Sequence, residues 1–102
     1  MDNSQVFALI GNDYTVDNIG QHVPTETSRE VYARRVDSVN REEWVTAGQM
    51  GFQAECRVTM FLYDYEGETV AELDGKRYGI YRTYHSSPDE IELYLGEKAG
   101  VK

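Results

Sequence analysis

A single cysteine, Cys56, stands among the 102 residues, so the chain closes no disulfide of its own. A lone cysteine inside a strand-like pattern is expected to pack as a small apolar residue in a reducing compartment. Histidine is as scarce: His22 and His85 are far apart, and neither forms a pair of zinc-ligand spacing with the other or with Cys56. Asp13, Asp17 and Asn18 lack the spacing and terminal Glu of a calcium-binding loop. No metal and no cofactor are expected. No apolar run is long enough to span a bilayer. The start, Met1-Asp2-Asn3-Ser4-Gln5, lacks the basic region of a secretory signal, and none is expected.

Positive charge is also in short supply. Ten basic residues face eighteen acidic ones, giving a net charge of −8. That balance argues against binding nucleic acid by phosphate neutralisation and against an anionic membrane surface. It suits a soluble acidic domain, or a surface that repels or imitates DNA. No glycine-rich phosphate loop and no nucleophile elbow occur, and Cys56 has no histidine nearby in sequence. The adjacent carboxylates Glu42 and Glu43, and the pair Glu90 and Glu92, fit a helix cap and a solvated strand face better than acid–base work. No catalytic residue is assigned, and the chain is expected not to be an enzyme.

What the chain has is tyrosine and strand pattern. Eight Tyr against three Phe and one Trp suit sheet surfaces and protein contacts, where one end of the ring is dry and the other wet. A chain of 102 residues makes one domain, 1–102, and buries roughly 65% of its unfolded surface, enough for one core without staples. Asp74-Gly75 sits between strand-like flanks and supplies the positive φ values of a two-residue hairpin turn. In the second arm, alternation puts Tyr78, Ile80, Arg82 and Tyr84 on one face and Gly79, Tyr81 and Thr83 on the other. In the next strand, Ile91, Leu93 and Leu95 face inward, with Glu92 and Tyr94 outward.

Earlier in the chain, 6–10 reads as a first strand, and 29–39 as a second. The stretch 11–28 has no clean period and reads as a long mobile loop that orders in an assembly. Asn40 with Glu43 makes an N-cap pair that starts a short helix over about 41–47, with Gly48 as its stop and Trp44, with Val45, as its docking residues. Residues 52–65 form the longest strand candidate. Val58, Met60 and Leu62 share one of its faces, and Arg57, Thr59, Phe61, Tyr63 and Tyr65 share the other. The expected fold is mainly β, a small antiparallel β-barrel of about six strands with one short helix and a long N-terminal loop.

Four segments also carry a resemblance. They are Ser28-Arg29-Glu30-Val31-Tyr32-Ala33; Val39-Asn40-Arg41-Glu42-Glu43-Trp44 leading to Ala47-Gly48-Gln49; Asp64-Tyr65-Glu66-Gly67-Glu68; and Gly75-Lys76-Arg77-Tyr78-Gly79-Ile80-Tyr81-Arg82-Thr83-Tyr84, followed by Glu92-Leu93-Tyr94. In combination the chain resembles the head-closure, or head–tail adaptor, proteins of tailed phages and prophages. The resemblance implies a non-enzymatic structural protein, a β-barrel subunit that forms a homo-oligomeric ring at the virion neck. That ring lies between the portal and the tail-completion proteins, is assembled in the bacterial host cytoplasm, and holds packaged DNA in the head. The subunit would stay monomeric until it meets a preformed ring, and DNA would pass through without specific binding. The loop at 11–28, with Asp13, Tyr14, Asp17, Gln21 and His22, is the segment that would project toward the channel, and Gln21 to Thr25 would serve as a movable plug. The outward tyrosines Tyr81 and Tyr94 are the candidate subunit interface. The rival reading is a small acidic DNA mimic or host-protein inhibitor. Against it, Arg29, Arg34, Arg35, Arg41, Arg57, Arg77 and Arg82 interrupt the acids. A hydrolase or ligand-binding barrel rests on the openness of barrels alone.

Overall fold

In the computed structural model, which describes residues 5–16 and 18–98, six antiparallel strands close into one ring around a filled core. They are β1 (Gln5–Val16), β2 (His22–Asp37), β3 (Phe52–Phe61), β4 (Val70–Leu73), β5 (Lys76–Ser87) and β6 (Glu90–Lys98). The order around the ring is β1-β2-β3-β6-β5-β4. One helix, α1 (Arg41–Gln49), joins β2 to β3, and a single 3-10 turn at Leu62–Asp64 follows β3. The fold is mainly β, as the strand patterns require.

The turn between β4 and β5 has the expected geometry. Asp74 and Gly75 take φ of 54° and 81°, the positive pair of a type I′ turn. β6 also alternates as read: Ile91, Leu93 and Leu95 are buried in the ring. They meet Leu9, Val58 and Met60, which are fully buried. Leu62 and Tyr65 pack against the end of this core, so Tyr65 is a core-side residue and not a partner of Phe61 and Tyr63 on the opposite face. The strand ends at Phe61, and the 3-10 turn breaks the alternation that had been expected to run to Tyr65. The Tyr65 hydroxyl donates to the Glu68 carbonyl at 2.6 Å. Arg29 donates through Nε and Nη2 to the Glu68 carboxylate, at 3.1 and 2.7 Å. Burial opposes the charge on Glu68, but the Arg29 hydrogen bond, the backbone N–H groups of Glu68 and Glu66 and the Arg29 charge together outweigh it and hold the carboxyl below its ordinary pKa.

The expected loop at 11–28 is a correction. β1 and β2 stay paired from Gln5 with Ala33 to Val16 with His22. Among the described residues, β1 meets β4 over 8–10 and β2 meets β3 between Ala33 and Asp37. Residues 11–16 and 22–28 therefore form a two-stranded ribbon that leaves the ring, about 20 Å long at the usual rise per residue. The sequence over 11–28 carries no inside–outside period. That is why it reads as loop. The molecule is elongated accordingly: its radius of gyration is 15.2 Å and its longest extent 51 Å, against about 13 Å for the gyration radius of a compact domain of this length.

Bulges decide which faces the side chains take. One in β3 between Ala54 and Cys56 sends Ala54 outward and Cys56 into the ring. One in β5 between Ile80 and Arg82 puts both Tyr81 and Arg82 outside, which overturns the placement of Arg82 with Tyr78 and Ile80. One in β2 between Ala33 and Arg35 lets Val36 join Val31 and Ala33 against the core. Where β3 crosses β6 at its bulge, the backbones come very close. A Cβ on Gly96 would stand 2.7 Å from the Gln53 carbonyl oxygen. A Cβ on Gly79 would press on the Phe52 ring edge, at 2.9 Å, a side chain rather than backbone, with the Gly96 carbonyl oxygen at an ordinary 3.7 Å. Gly96→Ala is expected to lower unfolding stability by about 2–3 kcal/mol and Gly79→Ala by clearly less, as read from urea denaturation of the two variants.

Candidate functional site

The chain places its most organised polar cluster on the outside of the ring, beneath α1. Asn40 caps the helix: its side-chain oxygen accepts from the Glu43 N–H at 2.8 Å. The other half of a capping box is not made. The Glu43 carboxylate turns inward and accepts from the Tyr81 hydroxyl at 2.6 Å, from Arg82 Nε at 3.1 Å, and from Arg82 Nη2. Arg82 in turn stacks over the Tyr94 ring at 3.9 Å, and the Tyr94 hydroxyl donates to Glu92 at 2.8 Å. Tyr81 stacks on Phe52 with ring centroids 5.4 Å apart. Ala47 and Ala54 fill the space between helix and sheet.

Burial works against the charge on Glu43, but the hydrogen bonds from Arg82 and Tyr81 outweigh it, and its pKa lies below the ordinary value of 4.5. Burial, then the hydrogen bond to Glu43, pushes the Tyr81 hydroxyl upward. A carboxylate held ionised, with both oxygens occupied, is an anchor rather than a proton-transfer group. A cleft of about 230 Å³ opens beside it, lined by Glu42, Glu43, Thr46, Arg57, Arg82 and Tyr94 among others. Arg57 Nη2 donates to Asp37 at 3.3 Å, while its buried Nε has no hydrogen-bond partner.

Trp44 and Val45, expected to dock the helix, are turned to solvent at 54% and 49% exposure, and Glu43 with Ala47 takes their place. The helix also runs two residues past the expected end. Gly48 lies inside it, and Gly51, with φ of 85°, follows the C-cap Met50. Tyr81 and Tyr94 do face outward from the ring, but α1 of the same chain covers both, to 8% and 7% exposure. They are not a free subunit interface. Of the ribbon residues, Asp13 and Tyr14 lie on β1 and His22 on β2, where the backbone is described. Gln21 is exposed in the connection between them, and Asp17 lies outside the described residues. Asp13, Tyr14, Gln21 and His22 therefore fall on one stretch of backbone, the two strands of the ribbon and the turn that joins them.

Sequence reading missed the Glu43–Arg82 pair. The capping pattern drew Glu43 to the helix end, and plain alternation drew Arg82 into the ring. The available signal was the adjacent pair Tyr81-Arg82, which needs a bulge if both are to share a face. Cys56 is buried, and burial first, then Glu55 and Asp74, pushes its thiol up to about 11, so it is not poised as a nucleophile. Among the described residues, no three His, Cys, Asp or Glu side chains group as a metal site.

Removing one partner of a buried pair leaves the other uncompensated. Glu43→Ala is expected to cost about 2–4 kcal/mol of stability. The depressed pKa sets the sign with pH: the stabilisation is complete above pH 4.5, the ordinary value, and is lost as pH falls through the lower folded value. Near-ultraviolet circular dichroism of the tyrosines in an acid titration checks this, with the Glu43→Ala variant losing the transition. Neither a protein-family model nor a curated protein sequence matches the chain.

Proposed function

We propose that this chain is a non-enzymatic structural subunit of a tailed phage or prophage. It assembles into a homo-oligomeric ring at the head–tail junction, between portal and tail, and helps to close the DNA-filled head. The observation that carries the reading is the ribbon at 11–28, which leaves a closed, filled ring of strands. An isolated two-stranded ribbon is at best marginally stable in water. A chain that builds one on a solid domain is suited to act by contact with neighbours. The six-stranded ring, the single helix and the projecting early segment are also the parts that the resemblance calls for, with a ribbon where a loop was expected.

The acidic balance fits a channel wall. A lumen lined with carboxylates repels DNA and lets it slide rather than stick. In this reading the ribbon that carries Asp13 contributes to that wall, and the partners are the portal-side and tail-completion proteins of the same particle. The alternative, a DNA mimic or host-protein inhibitor, needs a face of free carboxylates spaced like phosphates. Here Glu26, Glu68, Glu72, Glu90, Glu97 and Asp37 are each paired with an arginine or lysine, which leaves that reading the weaker.

Quantitative peptide mass spectrometry of purified particles after prophage induction tests the proposal. The chain is expected at a fixed, low copy number comparable to the portal protein. Abundance in the lysate with absence from particles would overturn it and move the inhibitor reading forward. Charge reversal at Asp13 and Asp17 is expected to alter DNA retention or ejection. Unchanged retention and ejection would remove the acidic-wall role.

A further inference from the structure

Helix α1 is inverted relative to an ordinary docked helix, which buries its apolar stripe. Its buried side carries Glu43 and Ala47, while its open side carries Trp44 and Val45, with Met50 just beyond its end. Two shallow hollows of about 460 and 510 Å³ flank that open side, and both are lined by Arg41 and Val45; the first also takes in Val39 and Trp44. Arg41 stands apart in charge as well. Arg29, Arg34, Arg35, Arg57, Arg77 and Arg82 are each in an ion pair, whereas none is found for Arg41 among the described residues.

The other end of the molecule offers the complement. The ribbon turns through Asn18, Ile19, Gly20 and Gln21, all exposed, and Ile19 is 77% exposed. The sequence over 11–28 contains acidic residues and no Lys or Arg. β2 runs from this turn to the entry of α1. Its sixteen residues span about 50 Å if straight, and the molecule's longest extent is 51 Å. The ribbon turn precedes β2 and the helix follows it, so the two patches lie at opposite ends of that strand. Complementary patches at two different places on one molecule make a head-to-tail contact, which closes into a ring or runs on as a filament.

We propose that the ribbon turn of one copy, centred on Ile19, seats on the Arg41–Trp44–Val45 face of α1 of a second copy. Ile19 takes the apolar hollow beside Trp44, and the acidic ribbon lies against Arg41. The inference deepens the ring reading and rests on it for the closure of successive contacts. It assigns the ribbon a fixed seat at its tip, so that its shaft bridges neighbouring subunits.

The test uses the full chain in two singly substituted forms, Ile19→Cys and Val45→Cys, one of them isotope-labelled. They are mixed at high concentration and joined by a short bis-maleimide. Cys56 is buried, with its thiol raised to about 11, and so stays out of the reaction. Cross-linked heterodimer is expected at about tenfold the yield of the control pair Ile19→Cys with Tyr63→Cys. Adding Arg41→Glu to the Val45→Cys form should remove most of that excess, whereas adding Arg41→Lys should keep it. Equal yields from both pairs, or indifference to Arg41→Glu, overturn the inference. The two readings fail separately. A chain present in particles without this cross-link keeps the ring and loses this contact. A chain that cross-links but is absent from particles keeps the contact and loses the neck assignment.

Discussion

Closure of the sheet rests on a short seam: three residue pairs, Ala8 with Glu72, Leu9 with Ala71 and Ile10 with Val70, join the first strand to the fourth. Everything else in the molecule follows from that seam holding. Backbone hydrogen bonds contribute only about 1 kcal/mol each in net terms, so they do not hold it alone. Leu9 and Ala71 lie on the seam and are fully buried in the core, and burying a leucine contributes roughly 1.5–3 kcal/mol. The seam is thus sealed from inside. A closed ring has no free sheet edge, except where β1 and β2 continue past it as the ribbon. The exposed Arg77 ties that ribbon back to the ring through both oxygens of Glu26, at 2.9 and 2.7 Å.

The ring is filled by its core, and the polar cluster around Glu43 is built on its outside. The helix seat shows the constraint at work. Two bulges, at Glu55 and Tyr81, bring Ala54, Tyr81 and Arg82 to the outer surface, and the short helix lies across them. A nine-residue helix is marginal on its own, and two buried positions give it little apolar area. The Glu43 carboxylate with Arg82 and Tyr81 supplies the rest. A buried ion pair of this kind adds modest net stability but is costly to break on one side, so it fixes where the helix sits. It leaves Trp44 and Val45 outside, which is the surface the proposed assembly uses.

The legibility of the fold divides along the same line. Asp74-Gly75 was readable because its turn demands a backbone that few residue pairs adopt. Ile91, Leu93 and Leu95 were readable because a half-buried strand must alternate. The ribbon was not, since the sequence over 11–28 carries no period to detect. Arg82 was misplaced because one extra residue in a strand flips every later side chain, and the adjacent pair Tyr81-Arg82 marks a bulge only once both are known to share a face. Trp44 was misassigned because its size argued for burial, whereas the hydrogen bonds that place Glu43 inside come from β5, far away in sequence. Tyr81 and Tyr94 were correctly turned outward, but the helix that covers them could not be placed on them from sequence alone.

The most direct measurement of this account is amide hydrogen exchange on the full chain over a range of protein concentrations. The account gives the ring strands strong protection at every concentration, because their protection comes from a closed core. It gives 11–16 and 22–28 weak protection in dilute solution, rising together with that of 41–50 as copies meet. Ribbon amides that are as protected as β6 in dilute solution, or whose protection never changes with concentration, would contradict it.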